Sequence, residues 1–180
     1  MKILSHIPLL EEILAQYQPT LGDDFVPYKN HVYRMVNFCF QLKKDMDDEQ
    51  QEKVVIAGCF HDLGIWTDDT LDYLPPSVSA ANAYLQERGL SRWAVEIGLM
   101  INLHHKLSKY EDDANPLVEW FRRADLVDVS LGLVKFGLSP DIVENVKGMF
   151  PNAGFHKRLT QLAAREFFRH PFRPLPFLKW

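Results

Sequence analysis

The chain is constrained most by Phe60-His61-Asp62-Leu63-Gly64, where two ionisable side chains directly follow the apolar run Val54-Val55-Ile56-Ala57-Gly58-Cys59-Phe60. A run this apolar packs inside a protein, and an unpartnered charge carried in with it costs on the order of several kcal/mol. The fold must therefore supply His61 and Asp62 with polar partners, a metal ion or both.

The rest of the pattern is helical. Ile7, Leu10, Ile13, Leu14 and Tyr17 recur at three- and four-residue intervals, which predicts an amphipathic helix over 5–17 closed by Pro19 and Gly22. His6, at its frayed start, reads as solvated. A second helix is expected from about Asp24 to Lys44, with Pro27 early and an apolar stripe of Val32, Met35, Val36, Cys39, Phe40 and Leu42. A third starts in Asp45-Met46-Asp47-Asp48-Glu49, where negative charge suits the helix dipole, and runs to about Leu63 with Gly64 as its stop. Residues 65–76 read as a polar, proline-closed connection shaping an entrance, with Asp69 and Asp72 as surface charge. Ser77 is the expected cap of a helix ending at Gly89, and Ser91 of one running through Leu103. Asn115 and Pro116 open a helix with Val118, Phe121, Leu126 and Val129 on its apolar face. Ser139-Pro140-Asp141 opens another through Met149, and residues 155–169 form the last. The segment from Pro171 to Trp180 is proline-interrupted and aromatic; it is expected to be extended, wrapping the body or engaging a partner subunit. No alternating strand pattern, internal repeat or linker appears. The expectation is an all-α bundle of about seven or eight helices in one domain, 1–180, with its core over 26–135 and an extension and tail over 136–180.

Composition narrows the function. A net charge of −4 and a pI near 6.0 argue against a nucleic-acid polymer or an anionic membrane surface as partner. The N-terminus has no long apolar core or cleavage site, and no apolar run reaches membrane-spanning length, so the expected location is the cytoplasm. Cys39 and Cys59 lack disulfide or Cys-x-x-Cys spacing and read as small core residues.

Four inward candidates remain: His31, one turn before Met35; the doublet His61 and Asp62; and Asp125, in Arg122-Arg123-Ala124-Asp125. A helical His taken alone is usually a structural residue, and Asp125 taken alone pairs most simply with Arg122. Together, imidazole and carboxylate suit borderline divalent metals such as Mn, Fe, Co, Ni or Zn. His104 continues the apolar face of Trp93, Ile97, Met100 and Ile101, with His105 about a quarter turn away. His156 and His170 have no metal-type spacing and read as background.

The segments Tyr28-Lys29-Asn30-His31-Val32-Tyr33-Arg34, Ala57-Gly58-Cys59-Phe60-His61-Asp62-Leu63-Gly64 and Arg123-Ala124-Asp125-Leu126 together resemble, in order and separation, the HD-domain superfamily of metal-dependent phosphohydrolases, over roughly residues 26–135. The resemblance implies an all-helical fold in which His31, His61, Asp62 and Asp125 coordinate one divalent ion (Mn, Fe, Co, Ni, Zn or Mg). Ile101-Asn102-Leu103-His104-His105 also looks like the family segment carrying an additional active-site His. Members with two metals have a further His between the doublet and that segment; here Ser77, Val78 and Ser79 stand in that region, and one metal is expected. Such an ion lowers the pKa of water from 15.7 toward about 7 and polarises a phosphoryl oxygen. Asp62 then both ligates and orients the water, while His104 or His105 contacts the leaving group or orients the water from behind the ligands. Lys106, Arg122 and Arg123 are candidate phosphate contacts, against their simpler reading as solvent-facing helix charges.

The expected activity is hydrolysis of a small phosphate ester or nucleotide, by a chain that also allows a homo-oligomer. The same superfamily includes hydrolases of other bonds and di-iron oxygenases. A third reading is a non-catalytic metal-binding regulatory module.

Overall fold

The computed structural model describes residues 2–169 and is all-α: its ordered backbone comprises α1 (Pro8–Leu21), α2 (Phe25–Leu42), α3 (Asp48–Phe60), α4 (Gly64–Thr67), α5 (Leu74–Glu87), α6 (Ala94–Leu103), α7 (Leu117–Val129), α8 (Pro140–Met149) and α9 (Phe155–Arg169). No described residue is in a β-strand. The expected extended stretch 171–180 and His170 lie outside the described residues.

Local chemistry explains where most helices begin. Asp47 caps α3 by accepting from the Gln50 N–H while the Gln50 side chain accepts from the Asp47 N–H, a reciprocal capping box. Ser139 accepts from the Ile142 N–H and Pro140 takes the first position of α8, as its sequence indicates.

Several boundaries differ from expectation. Pro19 does not close α1. It lacks the N–H that would bond the Ala15 carbonyl, but only two residues follow it. Burial of Leu21 and a bond from the Gly22 N–H to the Gln18 carbonyl hold that last turn. The third helix stops at Phe60 rather than Leu63, and the expected connection 65–76 is partly helical. Pro75 and Pro76 sit in the first turn of α5, where missing N–H groups cost least. Ser77 is consequently inside α5 and caps nothing; its hydroxyl accepts from the Gly64 N–H. Asn115 donates to Asp112 instead of capping α7, which begins one residue after Pro116. On α7, Val127 is buried, while Leu126 and Val129 are half-buried.

The main apolar cluster extends from Ile7 to Phe155 and takes in both free cysteines. Helix α2 lies at its centre, packed on α7 and α3. The α2–α3 contact is close because Gly58 faces Met35 and Val36, where even a Cβ would approach within 3.0 Å. The Tyr28 hydroxyl donates to the Cys59 carbonyl at 2.9 Å and ties the same two helices near the doublet. No described helix is long and apolar enough to cross a membrane.

Candidate metal centre

Two helices and one helix end deliver the predicted residues to one buried point. His31 projects from the first half of α2 and Asp125 from the last turns of α7. His61 and Asp62 follow the last residue of α3. There the backbone tightens: His61 still bonds back to Ala57, but Leu63 bonds to Phe60 and Ile65 to Asp62, three residues back. This turn lets adjacent side chains reach the same place, His61 Nε2 lying 3.4 Å from Asp62 Oδ2. His31 Nε2 is 3.0 Å from His61 Nε2 and 3.7 Å from both Asp62 Oδ2 and Asp125 Oδ1. All four residues are essentially sealed from solvent.

The imidazoles are oriented from behind. His61 Nδ1 sits 2.8 Å from the Gly58 carbonyl, and His31 Nδ1 sits 2.6 Å from Asp128 Oδ2. A carbonyl and a carboxylate only accept, so Nδ1 carries the hydrogen in each ring and Nε2 faces the cluster. Burial, opposed by the Asp62 carboxylate, lowers the His61 pKa to about 3, leaving Nε2 as a bare lone pair. Two lone pairs do not face each other at 3.0 Å without positive charge between them, either a shared proton or a metal ion.

The carboxylates favour the metal. Asp62 Oδ1 and Asp125 Oδ1 are buried and accept no hydrogen bond from any described residue. One proton between the imidazoles leaves both oxygens orphaned, at about 1–3 kcal/mol each. A divalent cation satisfies all four donors together. At 3.0 Å the two Nε2 atoms are also close enough to share one ion. His31, His61 and Asp125 therefore fit a metal ion, with Asp62 beside them; their donor atoms lie within 4.8 Å of one another.

Electrostatics separate the two carboxyls. Burial pushes the Asp125 carboxyl up to about 6, against the pull of His104 and His31. Burial also opposes charge on Asp62, but the surrounding His61, His104 and His31 overcome it and hold that carboxyl well below the usual range.

His104 and His105 close the cluster on one side. His104 Nδ1 lies 2.7 Å from the Ile101 carbonyl, which turns Nε2 toward Asp62 Oδ1 at 3.4 Å. Burial lowers its basicity, but Asp62 and Asp125 outweigh burial and raise its pKa. His105 is partly exposed, with Nδ1 3.8 Å from Asp125 Oδ2 and Nε2 2.7 Å from the Tyr73 hydroxyl. Two further donor groups, His61 with Asp62 and His104, and His104 with His105 and Asp125, overlap the first.

Other sequence candidates land elsewhere. Arg122 and Arg123 both donate to Glu119, so Asp125 does not pair with Arg122, and neither guanidinium reaches the cavity beside Asp62. Lys106 contacts Ser108 and likewise does not line that cavity. His6, Asp69 and Asp72 are exposed, as expected.

Three participants escaped sequence reasoning. Asp128 is buried and held by Arg34 through Nε at 2.5 Å and Nη2 at 2.8 Å, and it fixes His31. His31 and Arg34 bring its pKa down to about 2 despite burial. Its signal was its position three residues after Asp125, on the same helix face. Tyr73 emerges from the supposed loop to meet His104 and His105. His156, set aside as background, faces the cavity beside Asp62 and lies 3.2 Å from the Asp128 carbonyl. No family model, curated protein or solved structure matches the chain.

Proposed function

We propose that the chain is a metal-dependent hydrolase, most specifically a phosphohydrolase that cleaves a small phosphate ester with activated water. The observation that carries this reading is the pair of unpartnered buried oxygens, Asp62 Oδ1 and Asp125 Oδ1, beside two imidazoles whose Nε2 atoms meet at 3.0 Å. His31, His61, Asp62 and Asp125 would hold one divalent ion. That ion supplies Lewis acidity toward a phosphoryl oxygen and acidifies water.

The remaining roles fall to this chain's own groups. Asp62 and His61 border the cluster, and Asp62 also borders the cavity, so its carboxylate orients water between the two. His104 Nε2 lies 3.4 Å from both Asp62 Oδ1 and the Tyr73 hydroxyl. Burial and the nearby Asp62 and Asp125 raise the Tyr73 pKa well above its usual value, so it stays a hydrogen-bond donor. Tyr73 and His105 thus form a proton-bearing pair on the side where a leaving group departs. The resemblance of the three motif segments to HD-domain phosphohydrolases supports this assignment.

A second reading, a two-metal oxygenase, is favoured by the overlapping donor group His104, His105 and Asp125. Elemental analysis of purified protein, combined with a phosphate-release screen under each divalent metal in turn, separates the two. About one metal per chain and metal-dependent phosphate release supports the hydrolase. Two irons with oxygen-dependent turnover overturns it.

A further inference from the structure

A cavity of about 340 Å³ opens directly beside the cluster, touching Asp62, Tyr73 and His105. Its other walls are Ile65 and Leu71 from the segment after the doublet, Val129 at the end of α7, and Leu159 and Ala163 on α9. Among the described residues no Lys or Arg lines it, and its remaining polar groups are His156 and Thr160.

None of Arg122, Arg123, Arg158 and Arg165 lines the cavity. Arg122 and Arg123 hold Glu119, Arg158 holds Asp24, and Arg165 faces Asp69. Phosphate groups beyond the one at the metal would enter an apolar chamber without a compensating charge, at a cost of several kcal/mol, roughly. A sugar carries more hydroxyls than His156 and Thr160 can pair, and a hydroxyl buried without a partner loses its water. A hydrocarbon body gains there.

Resting on the hydrolase reading above, we propose that the substrate is a phosphate monoester of an apolar alcohol or phenol, with a body of about six to ten carbons. Its phosphate lies at the donor cluster and its body lies between α9 and the segment containing Ile65 and Leu71. Hydrolysis breaks the phosphorus–oxygen bond to the alcohol: water adds to phosphorus, the departing alkoxide takes a proton from the Tyr73–His105 side, and the proton that the water gives up restores that pair. The products are inorganic phosphate and the free alcohol.

Calorimetry on the full chain with Mn(II) tests this with two ligand ladders, n-alkylphosphonates from methyl to octyl and neutral 1-alkanols of the same lengths, alongside ATP and glucose 6-phosphate. Affinity is expected to rise about three- to fourfold per methylene in both ladders. Leu159→Gln should shrink that increment and leave methylphosphonate binding unchanged. Flat ladders, or ATP or glucose 6-phosphate binding tighter than hexylphosphonate, overturn the proposal. Methylphosphonate binding that ignores Mn(II) while the alkanol ladder still climbs overturns the phosphohydrolase reading and the phosphate half of the substrate, and supports the apolar half. If Phe172→Ser with Phe177→Ser raises hexanol affinity tenfold, the chain's own tail fills the cavity and the proposal falls.

Discussion

Helix α7 carries two buried ionic clusters, and they differ in whether the protein completes them. Near its start, Glu119 Oε1 accepts from Arg122 and Arg123, and Oε2 accepts from Arg122 and the Tyr110 N–H, all between 2.7 and 2.9 Å. Near its end, Asp125 Oδ1 accepts from no described residue and stands 3.7 Å from His31 Nε2. One turn further on, Asp128 is again filled, by Arg34 and His31. Carboxylates on one helix, all buried, thus divide into those closed by protein groups and those left open toward a common point. Burial and charge alone do not mark a site; the unfilled hydrogen-bonding capacity does.

The sharpest way to break this contrast is to remove one open carboxylate and one closed one. Asp62→Ala should reduce bound metal from about one per chain to below a tenth and lower turnover at least 100-fold, roughly, while helix content by circular dichroism stays unchanged. Glu119→Ala should do the opposite, keeping the metal and lowering the melting temperature, because the buried Arg122 and the half-buried Arg123 lose their partner. Full metal occupancy in Asp62→Ala, by elemental analysis, erases the distinction.

A second test concerns the frame around the open cluster. A Cβ on Gly64 would lie 2.4 Å from the Tyr73 carbonyl oxygen and 2.9 Å from Pro76, both on rigid backbone or ring. On Gly58 the nearest atoms, at 3.0 Å, are the ends of the Met35 and Val36 side chains, which can shift. Gly64→Ala should cost about 3 kcal/mol in urea unfolding and Gly58→Ala about 1 kcal/mol. Equal costs would mean that the turn carrying Tyr73 is not held against the doublet as described.

Asp128 tests the boundary between the two kinds of cluster, since it is filled yet serves the open one. Asp128→Asn keeps the shape and removes the charge that holds the His31 Nδ1 hydrogen. Metal affinity, measured by competition with a chelator, should fall about 10- to 100-fold. An unchanged affinity would place Asp128 with Glu119 as a purely structural carboxylate.

The open cluster was largely readable in the sequence, and the reason is geometric. His31 and Asp125 lie on long helices with strong apolar periodicity, so their inward direction follows from spacing, and His61-Asp62 ends an unmistakable buried run. Asp128 shares that face, but sequence gives no distance between α2 and α7 and so could not pair it with His31. Tyr73 and the cavity wall were not readable. They depend on the irregular residues 68–73 and on the docking of α9, neither of which leaves a periodic signature. The same limit explains Pro19 and the Pro75-Pro76 pair, whose cost depends on how many turns follow or precede them.

The smallest expected effect lies in the closed cluster and is read through pH. Burial opposes charge on Glu119, but Arg122, the Tyr110 N–H and Arg123 more than offset it and bring its pKa down to about 2 from an ordinary 4.5. A folded-state pKa below the unfolded one means that the carboxylate's contribution is complete above pH 4.5 and is lost as the pH falls from there through about 2. Glu119→Gln keeps one accepting oxygen and removes the titration, so it should cost about 1–2 kcal/mol at pH 7. The wild-type advantage over Glu119→Gln should then shrink steadily between pH 4.5 and 2 in urea unfolding. Asp128 titrates at low pH in both proteins and cancels in that difference. A gap that stays constant across the window would show that the arginines do not hold Glu119 ionised, and would remove the standard against which the open carboxylates are judged.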